Sequence, residues 1–169
     1  MTTLLIDADA CPVTRPAISI ARGRGIPVVL VSNGSQNLGR YADRRGVEVL
    51  QVTSGPDAAD FAIVGRLRSD DVVVTQDIGL AAMVLGKGAR ALSPRGRLYR
   101  PETIDAEMAV RYAEQKHRRA GGRTRGPDPF VEEDRERFGE VLARLLDEAQ
   151  SGGESWFESR AGERGRRME

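Results

Sequence analysis

The sequence predicts an α/β fold: a three-layer α/β/α sandwich around a central, mainly parallel sheet of about five strands, with further helices at the C-terminal end. Three observations carry this prediction. Short β-branched runs alternate with helical patterns through residues 1–100. The runs are bounded by Gly, Pro, Asn or Asp, as buried strands are. After Pro101 the pattern turns to helix alone. Strand–helix–strand alternation requires parallel strands with helices on both faces and right-handed crossovers.

Leu4-Leu5-Ile6 is the first strand, and a helical stretch around Ala17 to Ala21 follows it. Val28-Val29-Leu30-Val31, Val47 to Val52 and Val72-Val73-Val74-Thr75 supply the next three strands. Ala89-Arg90-Ala91-Leu92 is a weaker fifth. Helical segments fall near 38–45, 56–68 and 78–86. Pro101 opens a helix as a first-turn proline, with Ile104, Met108, Val110, Tyr112 and Ala113 as its apolar positions, and Gly121-Gly122 closes it. A last amphipathic helix runs from Phe130 to about Glu148 on Phe138, Val141, Leu142, Leu145 and Leu146. Residues 1–150 read as one domain. Residues 151–169, rich in Gly, Glu and Arg, read as a disordered tail whose one apolar spot is Trp156-Phe157.

With 169 residues, 40% hydrophobic and 30% charged, the chain has the composition of a globular protein. A chain of this size buries roughly 68–70% of its unfolded surface and folds without disulfides or structural zinc. Its single cysteine, Cys11, excludes a disulfide framework and a multi-cysteine zinc site, and any histidine chemistry would have to run through His117. No run of 18 apolar residues is present, so no membrane span is expected. The first residues lack the basic and apolar regions of a signal peptide, which makes the cytoplasm the expected location. The net charge of +1 argues against bulk nucleic-acid binding but leaves room for a local basic patch. All basic residues but Lys87 and Lys116 are arginine, the side chain suited to bidentate phosphate contacts, although excess Arg, Ala and Gly is also what a GC-rich genome produces.

The chemistry lies in the carboxylates. Asp7 and Asp9 follow the first strand, and a two-residue period points them to one side. Asp77 closes the run of the fourth strand, so it reaches the same sheet edge. Asp57 and Asp60 sit at the start of the helix feeding that strand, and their i, i+3 spacing puts them on one face. In parallel sheets, ligands bind at this carboxyl edge. Crowded carboxylates repel and raise one another's pKa, so a cation is expected among them. Hard oxygen donors suit Mg²⁺ or Mn²⁺. Such an ion makes its water more nucleophilic and stabilises the charge that develops at a phosphodiester. Each acid also has a purely structural reading. Asp57 fits a capping pattern, Ser54-x-x-Asp57; Asp77 can cap the helix from Ile78; Asp9 can cap the helix after it.

Taken in order, Asp7-Ala8-Asp9-Ala10-Cys11-Pro12, Asp57-Ala58-Ala59-Asp60, Thr75-Gln76-Asp77-Ile78-Gly79-Leu80-Ala81, Ser93-Pro94-Arg95-Gly96 with Tyr99, and Gly121-Gly122-x-x-x-Gly126-Pro127 resemble the YaiI/YqxD family of bacterial proteins over residues 3–148. That family is grouped with PIN-like domains, which include metal-dependent ribonucleases. The resemblance implies an α/β/α sandwich with an acidic metal site at the carboxyl edge of its sheet. It matches Asp7, Asp60 with Asp57, and Asp77 to the acids of that site. Many PIN-like nucleases carry a further acid after the next strand; here that region reads Leu92-Ser93-Pro94-Arg95-Gly96, so Asp9 replaces it or the set is incomplete.

The expected function is therefore a Mg²⁺- or Mn²⁺-dependent phosphodiesterase of the ribonuclease type. Asp7, Asp9, Asp60 and Asp77 are its candidate catalytic residues, and these with Asp57 are its candidate metal ligands. Arg95, Ser93 and Asn33, in loops after strands, are candidate substrate contacts. So are Lys116, Arg118 and Arg119, in the basic stretch ending the long helix, which suits a nucleic-acid backbone such as RNA. Thr75 faces the side of Asp77 and is expected to orient it. Two other readings compete. A non-catalytic module would bind RNA or a protein through the same scaffold. A haloacid-dehalogenase-like phosphatase would use Asp7-x-Asp9 as nucleophile and proton donor, but that pattern expects Thr or Val where Cys11 stands, and Lys87 is poorly placed as its lysine.

Overall fold

The computed structural model describes residues 1–34, 37–53, 55 and 57–152. Five strands form one sheet: β1 (Leu4–Asp7), β2 (Val28–Ser32), β3 (Val47–Gln51), β4 (Val72–Val74) and β5 (Arg90–Leu92). All neighbours are parallel, in the order β3-β2-β1-β4-β5. Leu4 lies opposite both Val28 and Val72, so β1 is the central strand. Among the described residues six helices accompany it: α1 (Thr14–Arg22), α2 (Gly39–Ala42), α3 (Ala58–Arg66), α4 (Ile78–Gly86), α5 (Pro101–Arg119) and α6 (Glu132–Gln150).

Strand alternation divides the apolar side chains into two layers. Leu4, Ile6, Val28, Leu30, Val72, Val74 and Leu92 face α1 and α6, where they meet Ala17, Ile18, Phe138, Leu142 and Leu146. Leu5, Val29, Val31, Val73 and Ala91 face the opposite way, against Ile63 of α3, Leu80, Ala81 and Val84 of α4 and Ile104 of α5. Near-continuous apolar strands are the signature of a sheet covered on both faces. The chain steps from β1 to β2 with α1 on one face. It then returns across β1 to β4 with α3 on the other, as crossovers of one hand require. This reversal makes the gap between the ends of β1 and β4 the switch point of the sheet.

Two helices differ from the reading of the sequence. In α5 only Ile104 is buried; Met108, Val110 and Tyr112 are 38%, 59% and 68% exposed. Ile104, Met108 and Tyr112 follow at four-residue steps on one face and Val110 lies off it, but that face is covered only at Ile104, so the stripe runs out into solvent. The helix rests on α4 by its first turns. The chain after β1 is also not extended through Asp9: Ala8–Ala10 form a 3-10 turn. The expected tail lies outside the described residues from residue 153 onward, including Trp156 and Phe157. Ser54, the expected partner of Asp57 in a capping pattern, lies outside them as well. Among the described residues no helix is long and apolar enough to cross a membrane.

Candidate active site at the carboxyl edge

Asp7 is the last residue of β1, and Thr75 follows β4 directly, so the two meet across the switch point. Thr75 Oγ1 donates to Asp7 Oδ2 at 3.0 Å. The same hydroxyl oxygen accepts from the Asp77 amide at 3.0 Å. Thr75 is buried and its carbonyl accepts from the Tyr99 hydroxyl at 3.1 Å. One side chain thus ties the acid after β1 to the acid after β4, which is the orienting role expected of Thr75.

Asp77 is the N-cap of α4. Its Oδ1 accepts from the amides of Gly79 at 2.8 Å and Leu80 at 3.3 Å. The capping reading of this residue is therefore realised, and the cap also fixes the carboxylate in place, leaving Oδ2 outside those bonds. Asp60, in the first turn of α3, is 9% exposed and lies within hydrogen-bonding reach of Asp77. Burial is the largest cause raising its pKa, followed by the charges of Asp77, Asp7 and Asp57; together they push it up to about 6. Burial also raises Asp7, the Thr75 hydrogen bond opposes it, and Asp9 and Asp77 add repulsion. Asp57 is the N-cap residue of α3, but its side chain makes no capping bond. It sits in the left-handed region at φ 65°, the one described non-glycine residue to do so.

Asp9 stands apart from the arrangement expected of it. The 3-10 turn replaces the two-residue period, and its carboxylate turns to the end of β2. There it accepts from Ser32 Oγ at 2.6 Å and from the Asn33 amide at 2.9 Å. Asn33 thus meets the acidic edge through its backbone. Ser93 shapes a turn: its Oγ accepts from the Arg97 amide at 3.1 Å. Arg95 pairs with Asp134 at 3.0 Å and donates to the carbonyls of Pro129 and Asp128. Lys116, Arg118 and Arg119 lie exposed on the last turn of α5. Cys11 is buried, which pushes its thiol up and away from the thiolate a nucleophile needs.

Among the described residues, no three Asp, Glu, His or Cys side chains are gathered to hold one metal ion by themselves. The donor chemistry still fits Mg²⁺ or Mn²⁺. Mg²⁺ is commonly held by one or two carboxylates, with waters and substrate phosphates completing its shell. Asp60 and Asp77 form such a pair in contact, with Asp7 close enough to repel both.

The raised Asp60 has a consequence for stability. Its folded pKa lies above its ordinary value of 3.8, so ionising it destabilises the fold. The penalty is absent below about pH 4, grows to about pH 6 and is full above. Asp60→Asn is expected to stabilise the chelator-treated protein at about pH 8. The gain is on the order of 1–2 kcal/mol after a reduction for solvent screening. Thermal melts at about pH 8 and pH 3.5 check this: a gain at the higher pH alone is expected, and equal gains at both would contradict it.

The family described as "Uncharacterized BCR, YaiI/YqxD family" matches residues 5–148. The chain belongs to the YaiI/YqxD family. A UPF0178 protein of Staphylococcus saprophyticus is 40% identical over 146 residues, covering 86% of this chain and 94% of its own. UPF0178 proteins of Bacillus cereus and Bacillus thuringiensis are each 42% identical over 143 residues, covering 85% of this chain and 97% of theirs. No solved structure matches the chain. The matched region contains Asp7, Asp60, Thr75 and Asp77, and ends inside α6.

Four residues at this edge escaped the reading of the sequence as site residues: Arg97, Arg111, Asp134 and Arg137. They come from the loop after β5 and from two helices, and their approach to Gln76 and Ser93 is a product of the tertiary fold. Arg111 carried the single available signal, as the first member of the basic stretch in α5.

Proposed function

We propose that this YaiI/YqxD protein is a divalent-cation-dependent phosphodiesterase acting on RNA at the carboxyl edge of its sheet. The observation that carries the reading is the strained carboxylate group at the switch point. Burial, reinforced by the charges of Asp77, Asp7 and Asp57, holds Asp60 near pKa 6, and burial with the charges of Asp9 and Asp77 raises Asp7. A protein gains nothing in stability from such a group, and perturbed carboxylates in a cleft mark functional sites.

A Mg²⁺ or Mn²⁺ ion bound there would supply charge neutralisation and a more acidic water. Asp60 and Asp77 would hold it. The cap on α4 keeps Asp77 from moving, and Thr75 keeps Asp7 facing the same space. Asp7 is then placed to orient water or accept its proton. The exposed basic end of α5 offers contacts to an RNA backbone. Asp9 serves the loop after β2, and Asp57 adds field at Asp60.

A second reading has an observation in its favour. A module that binds RNA or protein without turnover accords with the lack, among the described residues, of three ligands gathered on one ion. The phosphatase reading gains no such support, because Lys87 Nζ donates to the Val64 carbonyl at 3.0 Å and Asp9 is engaged by Ser32 and Asn33. Incubation with single-stranded RNA decides between the first two. The phosphodiesterase reading expects cleavage with Mn²⁺ or Mg²⁺ that stops with chelator. Retained RNA binding with no cleavage in either metal would establish the module instead.

A further inference from the structure

A cavity of about 450 Å³ opens beside the carboxylates. Gln76 and Ile78, the residues on either side of Asp77, form its wall toward the acidic edge. Arg95, Arg97, Arg111 and Arg137 line it, along with Tyr99 and Asp134. These four arginines come from three places: the loop after β5, the middle of α5 and the first half of α6. Gly96 makes the convergence possible. At φ +82° it lies so close to α6 that a Cβ there would stand 2.7 Å from the Arg137 carbonyl carbon, so the loop carrying Arg95 and Arg97 is pressed against the helix carrying Arg137.

We propose that this cavity receives a terminal phosphate monoester of the substrate, adjacent to the carboxylate edge. Charge argues for it. Four guanidinium groups face one lining carboxylate, Asp134, and a second, Glu107, that pairs with Arg97. Four lining guanidinium groups against one lining carboxylate give the cavity a cationic wall beside the acidic edge, and a monoester dianion gains more from such a wall than the single charge of an internal diester. Preorganisation adds to it. Arg95 is pinned by Asp134 and by the carbonyls of Asp128 and Pro129, and it stands over the Phe130 ring at 5.7 Å. Arg137 reaches the other oxygen of Asp134 at 3.4 Å. Arg111 has no carboxylate partner among the described residues, so its guanidinium is available for a bidentate phosphate contact. Burial raises the pKa of Tyr99, whose hydroxyl stays protonated and bonded to Thr75, joining the wall of the cavity to the carboxylate group. As the partner of the acidic edge, the cavity rests on the phosphodiesterase reading and deepens it, making the enzyme selective for phosphorylated ends.

The test measures binding without turnover. A short single-stranded RNA carrying a 5′-phosphate, a 3′-phosphate or hydroxyls at both ends is titrated with the full chain in chelator, with fluorescence anisotropy as the readout. One phosphorylated form is expected to bind about tenfold more tightly than the hydroxyl form, the worth of one charge-assisted contact, and the two phosphate arms identify which end enters. Arg111→Gln is expected to abolish that difference. Arg144→Gln is expected to keep it, because Arg144 does not line this cavity but a neighbouring one that shares only Arg97 with it. Equal binding of all three RNAs, or a difference that survives Arg111→Gln, would overturn the proposal. Cleavage assays with Mn²⁺ on the same RNAs separate the two claims. An end preference without cleavage sinks the phosphodiesterase and leaves the pocket. Cleavage indifferent to the ends sinks the pocket and leaves the phosphodiesterase.

Discussion

Asp7→Asn is expected to lower cation-dependent RNA cleavage by about 100-fold or more while leaving the fold intact. The size follows from what such a group does in a reaction: removing one well-placed electrostatic or proton-accepting contact typically costs about 2.7–4 kcal/mol of barrier. The fold is spared for a local reason. Asparagine keeps an oxygen at the position where Asp7 accepts from Thr75 Oγ1, so the link between the ends of β1 and β4 survives. Removing the charge also relieves the repulsion that Asp9 and Asp77 exert on it. The melting temperature at neutral pH should therefore be equal to or above that of the wild type. Initial rates over a Mn²⁺ series, with melts on the same preparations, check this. Unchanged cleavage would remove Asp7 from the mechanism, and a large fall in melting temperature would make any loss of rate uninterpretable as chemistry.

The second large effect concerns the core that supports the site. Phe138→Ala is expected to cost about 3–5 kcal/mol of stability, which for a chain of this length lowers the melting temperature by roughly 10 °C. Phe138 is wholly buried in α6 and belongs to the layer that meets Leu4, Ile6 and Val74 under the sheet. Its loss opens a cavity beneath β1 and β4, the strands that carry Asp7 and Thr75. It also loosens α6 next to Asp134 and Arg137, so the binding of phosphate-ended RNA should weaken as well. Chemical denaturation gives the stability change. A loss below about 1 kcal/mol would mean that α6 is not an integral layer of the fold.

Much of this was legible in the residues. The alternation of Leu4, Leu5 and Ile6, or of Val72, Val73 and Val74, sorts into the two layers by the strand period alone. The meeting of Asp7, Asp60 and Asp77 follows from topology: parallel strands send their ends to one edge, and the helix before β4 begins there. What stayed hidden depends on local geometry and on distant pairs. No pattern in Asp7-Ala8-Asp9 distinguishes two more extended residues from a 3-10 turn, and that difference sends Asp9 to Ser32 and Asn33. The apolar residues of α5 suggested a buried stripe, but the fold covers that face only at Ile104 and leaves Met108 and Tyr112 exposed. The arginine cavity joins residues from 95 to 137 through the approach of Gly96 to α6, which no local spacing encodes.

The central claim is that the carboxylates at the switch point form a cation site, and calorimetric titration of Mn²⁺ at about pH 7.5 tests it most directly. The wild type should take up the ion saturably, with a rise in melting temperature as binding to the folded state requires. Asp60→Asn should weaken that uptake by about tenfold or more, the equivalent of about 1.4 kcal/mol, even though the same substitution stabilises the ion-free protein. No heat and no thermal shift at millimolar Mn²⁺, or equal uptake by Asp60→Asn, would contradict the account.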